Sequence, residues 1–121
     1  MSTNQVSAAG KVMNYVTSGA VTVGSVVDML HCIGVALKGA TASGETIPVA
    51  VEGVFTLPKV SAAVFVQGEK LIWDDSAGAF DDSAATPASG DITGAVIAMV
   101  AGANAETTCV VKLTPGNATR T

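Results

Sequence analysis

Short runs rich in Val, Ile and Thr, cut at intervals by glycine, recur along almost the whole chain and leave it little choice but strands. They span residues 11–17, 21–23, 26–30, 33–37, 46–55, 70–73, 94–100 and 107–113. β-Branched side chains pack well on a pleated surface, and the intervening glycines supply the turns, so the pattern predicts an all-β fold. In the last run Thr107, Cys109, Val111 and Leu113 alternate with Thr108, Val110 and Lys112, the period of a half-buried strand with Cys109 and Leu113 inward. Ile47, Val49 and Val51 alternate likewise. Pro48 cannot donate to a ladder and therefore predicts that this strand starts at a sheet edge. Only 61–66 leaves room for helix, at most one short turn.

The chain has 121 residues, of which 49% are hydrophobic and 13% charged, enough for one domain and too few for two. Its apolar residues are mainly Ala and Val, which bury little area each, so the core should be thin. Tyr15, Phe55, Phe65, Trp73 and Phe80 must then supply a large share of the packing, with Phe55 and Trp73 as its anchors. The expected architecture is a compact small β-barrel or β-sandwich. Two stretches echo each other, 34–51 and 94–111: each reads strand, small-residue turn, Glu-Thr, strand. Val23-Gly24 entering 26–28 likewise echoes Gln67-Gly68 entering 71–74, which suggests two pseudo-repeated β units. Residues 1–9 and 115–121 are small, polar and aperiodic, and read as a flexible arm and a flexible tail around a domain at 10–114.

Charge and motif content exclude several functions. Net charge is −4 and the six basic residues stand singly, whereas nucleic acid binding needs a clustered basic face. No run approaches a membrane span, and Met1–Gln5 lacks the basic start and apolar core of a signal peptide, so synthesis in the cytoplasm with reduced Cys32 and Cys109 is expected. His31-Cys32 offers two ligand types, but neighbouring strand residues face opposite ways and cannot share a metal. Asp74-Asp75 and Asp81-Asp82 flank Ser76-Ala77-Gly78 without the ligand spacing of a calcium loop, and read as a hairpin turn with Gly78 at positive φ. Glu52, Glu69, Asp74 and Asp91 offer carboxylate pairs but no aromatic platforms for a sugar, and no nucleophile elbow surrounds the single histidine. No catalytic, cofactor or metal site is expected.

One block is more specific. Gly53-Val54-Phe55 and Leu57-Pro58-Lys59 are followed by Gly68, Lys70 and Trp73-Asp74, and the last strand closes on Val111 and Leu113. This wording resembles the cement, or head decoration, proteins of tailed bacteriophages, over roughly 12–113. Ile72 precedes Trp73 where an aromatic is frequent in that family, and 60–66 is more apolar than its pattern. The resemblance implies a structural virion protein, not an enzyme, that binds the capsid exterior and bridges major capsid subunits. It also implies self-association, a homotrimer before a dimer.

Contact residues would come from two places. Ser2, Thr3, Asn4, Gln5 and Val6 form an arm able to order along a partner. Leu57, Pro58 and Lys59 form a loop in which proline holds Leu57 extended; the plainer reading caps the core with Leu57 and leaves Lys59 solvated. Trp73 belongs in the core, its indole N–H paired with Asp74 or a turn carbonyl. The rival reading is a small-ligand or carbohydrate-binding β module on a virion surface, against which the scarcity of aromatics weighs.

Overall fold

A computed structural model describes residues 9–121, which form strands and, among those residues, no helix. The strands are β1 (Val12–Val16), β2 (Val26–Asp28), β3 (Ile33–Ala36), β4 (Thr46–Ala50), β5 (Val54–Pro58), β6 (Lys70–Asp74), β7 (Ala79–Asp81), β8 (Ile92–Ala98), β9 (Thr108–Leu113) and β10 (Thr119–Arg120). They make two antiparallel sheets. The first has the order β1-β4-β3-β2, the second β5-β9-β8-β6-β7, with β10 added to β8. The all-β expectation holds, as two packed sheets rather than a closed barrel. The second sheet nevertheless curls until its edges touch, through a parallel bridge between Lys59 and Phe80.

The orders 1-4-3-2 and 5-9-8-6 are the same order, and the resemblance extends to single bonds. Gly24 N donates to Ala36 O (2.7 Å) and Ala36 N to Ser25 O (3.0 Å); Gly68 N donates to Ala98 O (2.7 Å) and Ala98 N to Glu69 O (2.9 Å). Both glycines have positive φ, 84° and 88°, which glycine adopts without steric cost. In the β3–β4 connection Glu45 reaches back to the N–H of Ala42, and in the β8–β9 connection Glu106 reaches back to that of Ala103. The echo seen in the sequence is therefore a repeat of strand order and turn chemistry, with β7 inserted into the second unit.

The main core lies between the sheets. Ile33, Val35 and Ala50 of the first sheet meet Leu71, Trp73, Phe80, Ile92, Val96, Val111 and Leu113 of the second. A smaller cluster of Val27, Ala36, Ala40, Ile47 and Val49 lines the other face of the first sheet, with Tyr15, Val21 and Met29 against it. β3 is thus buried on both faces, and its Ile-Gly-Val-Ala run shows no alternation in burial. Trp73 packs edge-on to Phe80 at 5.0 Å between ring centroids. Phe55 is half-buried, packed on the edge of the same cluster.

Several local expectations give way. Pro48 is not on an edge strand, since β4 lies between β1 and β3. It is tolerated because β3 ends there: Leu37 N donates to Pro48 O (3.0 Å), and the donor that proline lacks would have faced an exposed bend that water can serve. The run 46–55 is two strands in different sheets, divided where Gly53 at φ 124° turns the chain. His31 and Cys32 lie in the β2–β3 turn rather than in a strand, after Leu30 at φ 70°. Trp73 Nε1 is buried with no hydrogen-bond partner; the Asp74 carboxylate, which strand alternation turns to the opposite face, instead accepts from Ser76 and Ala77. Near the C-terminus the chain returns to the sheet: Thr119 pairs with Thr93, and Thr121 N donates to Asp91 O (2.9 Å).

Candidate functional site

The three residues singled out at the end of β5 have very different surroundings. Leu57 is 2% exposed and belongs to the main core, Pro58 is exposed, and Lys59 is 4% exposed. Lys59 is not solvated. Its Nζ donates to the carbonyls of Val60 (2.9 Å), Ser61 (3.2 Å) and Glu106 (3.3 Å) and lies 5.9 Å from the centroid of the Phe65 ring. Carbonyls released where the chain leaves β5 and where it approaches β9 are satisfied by one ammonium, which avoids the penalty of leaving them unpaired. Lysine suits this place because its apolar stem fills the interior while three donors fan out from one atom. Of the Leu57-Pro58-Lys59 trio, the surface receives only Pro58. Ser2–Val6 lie outside the described residues.

The lysine knot fixes the segment after β5. Ala63 N closes a turn on Val60 O (3.0 Å), and Phe65 exchanges two backbone hydrogen bonds with Gly102, at 3.1 and 2.9 Å. The Phe65 ring then lies over Gly102, where a Cβ would stand 2.6 Å from Cε1 and 2.7 Å from Cε2. Only a residue without a side chain admits the ring there. With Phe65 turned inward at 2% exposure, the residues on either side turn out by strand alternation. Val64 is 59% exposed and Val66 68%, and Val100 on the facing loop is 55% exposed. Ala101 and Ala103, also exposed, extend the surface.

This ledge carries no charged side chain between Val60 and Gly68 or between Met99 and Ala105. The carboxylates that border it are tied to backbone. Glu69 accepts from Val66 N (3.2 Å) and from the N–H and hydroxyl of Ser83 (2.9 and 2.8 Å), and those Ser83 bonds first, then Val66, hold its carboxyl below the usual range. Glu106 is engaged by Ala103 N. The result is a ridged, uncharged apolar surface held by backbone bridges, suited to burial against another protein and poorly suited to bond-making chemistry.

Sequence reasoning singled out Leu57 to Lys59 and did not single out the exposed Val64, Val66 and Val100. The signal was present as the unusual apolarity of 60–66. There Ala63 and Phe65 alternate with Val64 and Val66, so both faces of the segment are apolar and only one can be buried. The acidic turn is the predicted hairpin: Gly78 has φ 63° and its N–H meets Asp74 O at 2.8 Å. Among the described residues no group of three or more His, Cys, Asp and Glu is placed to hold a metal ion.

Two sheets built from a repeated unit thus present an ordered apolar ledge of the kind that protein surfaces bury on contact. Comparison with protein families agrees: residues 7–113 match the family of phage cement proteins, and the chain belongs to that family. It is a structural, capsid-associated protein of a bacteriophage. No curated protein and no solved structure matches the chain.

Proposed function

We propose that this protein binds the outer surface of an assembled phage capsid, bridges neighbouring major capsid subunits and so stabilises the shell. The observation that carries the reading, beside family membership, is the ledge of Val64, Val66 and Val100, large apolar side chains held outward at more than half exposure. Burying such residues against a subunit contributes roughly 1.5–3 kcal/mol per fully buried side chain. A ligand that binds the assembled lattice and not its dissociated subunits lowers the lattice free energy by linkage. Several copies, each contacting more than one subunit, multiply that effect.

The test is co-sedimentation of the purified protein with capsids that lack it, comparing wild type with Val66→Asp and Val64→Asp. Both positions are exposed, so the variants should melt within a few degrees of wild type. They should occupy capsids at least tenfold more weakly. Occupancy equal to wild type by both folded variants would remove the ledge from the contact surface.

A further inference from the structure

The two repeated units can be laid on each other bond for bond, and they part where the second unit holds β7. The antiparallel bridge between Val21 and Ala40 corresponds to that between Phe65 and Gly102. Thr17 N donating to Glu45 O (2.8 Å) corresponds to Lys59 N donating to Thr107 O (2.8 Å). With the glycine and alanine bonds already described, this sets β2 against β6 and Ser18 against Val60. In the second unit β7 lies between those two places. On one side it pairs with β6, Ile72 to Asp81 and Asp74 to Ala79, and on the other Phe80 O accepts from Val60 N (2.9 Å). The Phe80 ring is wholly buried there, against Trp73.

In the first unit the corresponding place is open. Ala36 N donates to Ser25 O (3.0 Å) and Met29 N to Cys32 O (3.0 Å), so the odd-numbered residues of β2 turn their backbone groups to β3. Val26 and Asp28 present N–H and C=O to the other side, where among the described residues no strand pairs. Ser18 N, the counterpart of Val60 N, has no hydrogen-bond partner among the described residues. Between these two unpaired walls opens a cavity of about 390 Å³, which Tyr15, Val21 and Val27 of the smaller core also line. Nothing in the first unit plays the part of Phe80, and Tyr15 and Val21 are left only half-buried.

We propose that this slot receives an extended segment of the major capsid subunit, added as a strand beside β2 with one aromatic side chain turned into the cavity; the capsid as donor rests on the function proposed above. β7 shows what such a slot accepts: three extended residues, Ala79-Phe80-Asp81, with the middle side chain inward. Strand addition pairs the open edge through the backbone, and the cavity selects the side chain. The aromatic must come from a foreign chain. All five aromatic residues of this protein are engaged in its own fold: Tyr15 borders the slot itself, Phe55 packs on the main core, and Phe65, Trp73 and Phe80 are buried. Residues 1–8 contain none. Neither a second copy nor the start of the chain has such a side chain to give.

Photo-cross-linking on capsids reads the occupant directly. Full-length protein carrying benzoylphenylalanine in place of Ala20, an exposed residue on the rim of the slot, is bound to capsids that lack the protein and irradiated. Mass spectrometry of the digest should find it joined to one segment of the major capsid protein that contains an aromatic residue. Val26→Pro removes an outward N–H of β2 while sparing its bonds to β3, and Ser18→Pro removes the N–H of the opposite wall. Each variant that melts within a few degrees of wild type should occupy capsids at least tenfold more weakly and lose the cross-link. Cross-links only to a second copy or to residues 1–8, to a capsid segment without an aromatic residue, or to nothing would overturn the proposal. So would folded variants that bind and cross-link as wild type does. If Val66→Asp weakens binding while the slot variants leave it unchanged, the capsid reading stands and the slot falls. A wild type that does not bind capsids removes that reading, and the capsid donor with it.

Discussion

Gly102→Ala isolates the contact that shapes the ledge. The backbone there is ordinary for an L residue, so the added methyl meets no conformational penalty, only the Phe65 ring, with Cζ nearest and Cε1 and Cε2 at 2.6 and 2.7 Å. The ring is 2% exposed and both residues are bound to each other through the backbone, which leaves it little room to withdraw. Overpacking of this kind costs about 1–3 kcal/mol. Phe65→Ala alone should cost about 3–5 kcal/mol, the usual loss for a buried aromatic. In the Phe65→Ala background the obstruction is gone, and Gly102→Ala should turn neutral or slightly stabilising, because alanine reduces the entropy of the unfolded chain. The cycle therefore predicts a coupling of about 1–3 kcal/mol with a change of sign or loss of the single-mutant cost. Urea titration followed by fluorescence of the single tryptophan, Trp73, measures all four proteins. A Gly102→Ala protein as stable as wild type, or one whose cost is undiminished without the ring, would refute the packing argument.

Leu57→Ser should destabilise by about 2–5 kcal/mol, since it removes a core side chain, and thermal unfolding would show it. Lys59→Met keeps the stem but strips three carbonyls of their donor; a loss of roughly 1.5–3 kcal/mol in urea titration is expected, and a neutral effect would contradict the knot. Glu45 is held below its ordinary range by the N–H of Ala42 and by Thr41, Glu69 by Ser83, and Asp74 by the Ser76 hydroxyl and the Ala77 N–H. Depressed carboxylates contribute stability that is complete above their unfolded values and fades as pH falls through the folded ones, so melting temperature should hold down to about pH 4.5 and drop below it. Burial pushes the Cys109 thiol up to about 11, against a weaker pull from Lys59, and raises Cys32 as well. A thiol reagent at pH 8 should therefore label the half-buried Cys32 in the native protein and Cys109 only after unfolding.

The strands were legible because period-two alternation and glycine turns are local properties. The repeat was legible for the same reason: Glu45 and Glu106 each cap a turn three residues back, so the motif is contained within a few positions. Sheet membership was not, since 46–55 reads as one continuous run and only the turn at Gly53 assigns its halves to different sheets. Lys59 shows the limit most clearly. A lysine after proline reads as solvated, and what buries it includes a carbonyl at Glu106, 47 residues away. The same long-range closure hides Leu57 and, through Phe65 and Gly102, turns Val64 and Val66 outward.

The central claim, stabilisation of an assembled shell from outside, is tested most directly by heating DNA-filled heads that lack this protein, with and without prior addition of the purified chain. Bound protein should raise the temperature of DNA release in a saturable way, and the rise should track occupancy through the Val66→Asp series. Release at the same temperature despite full occupancy would contradict the account, because a ligand that favours the assembled lattice cannot bind it without stabilising it.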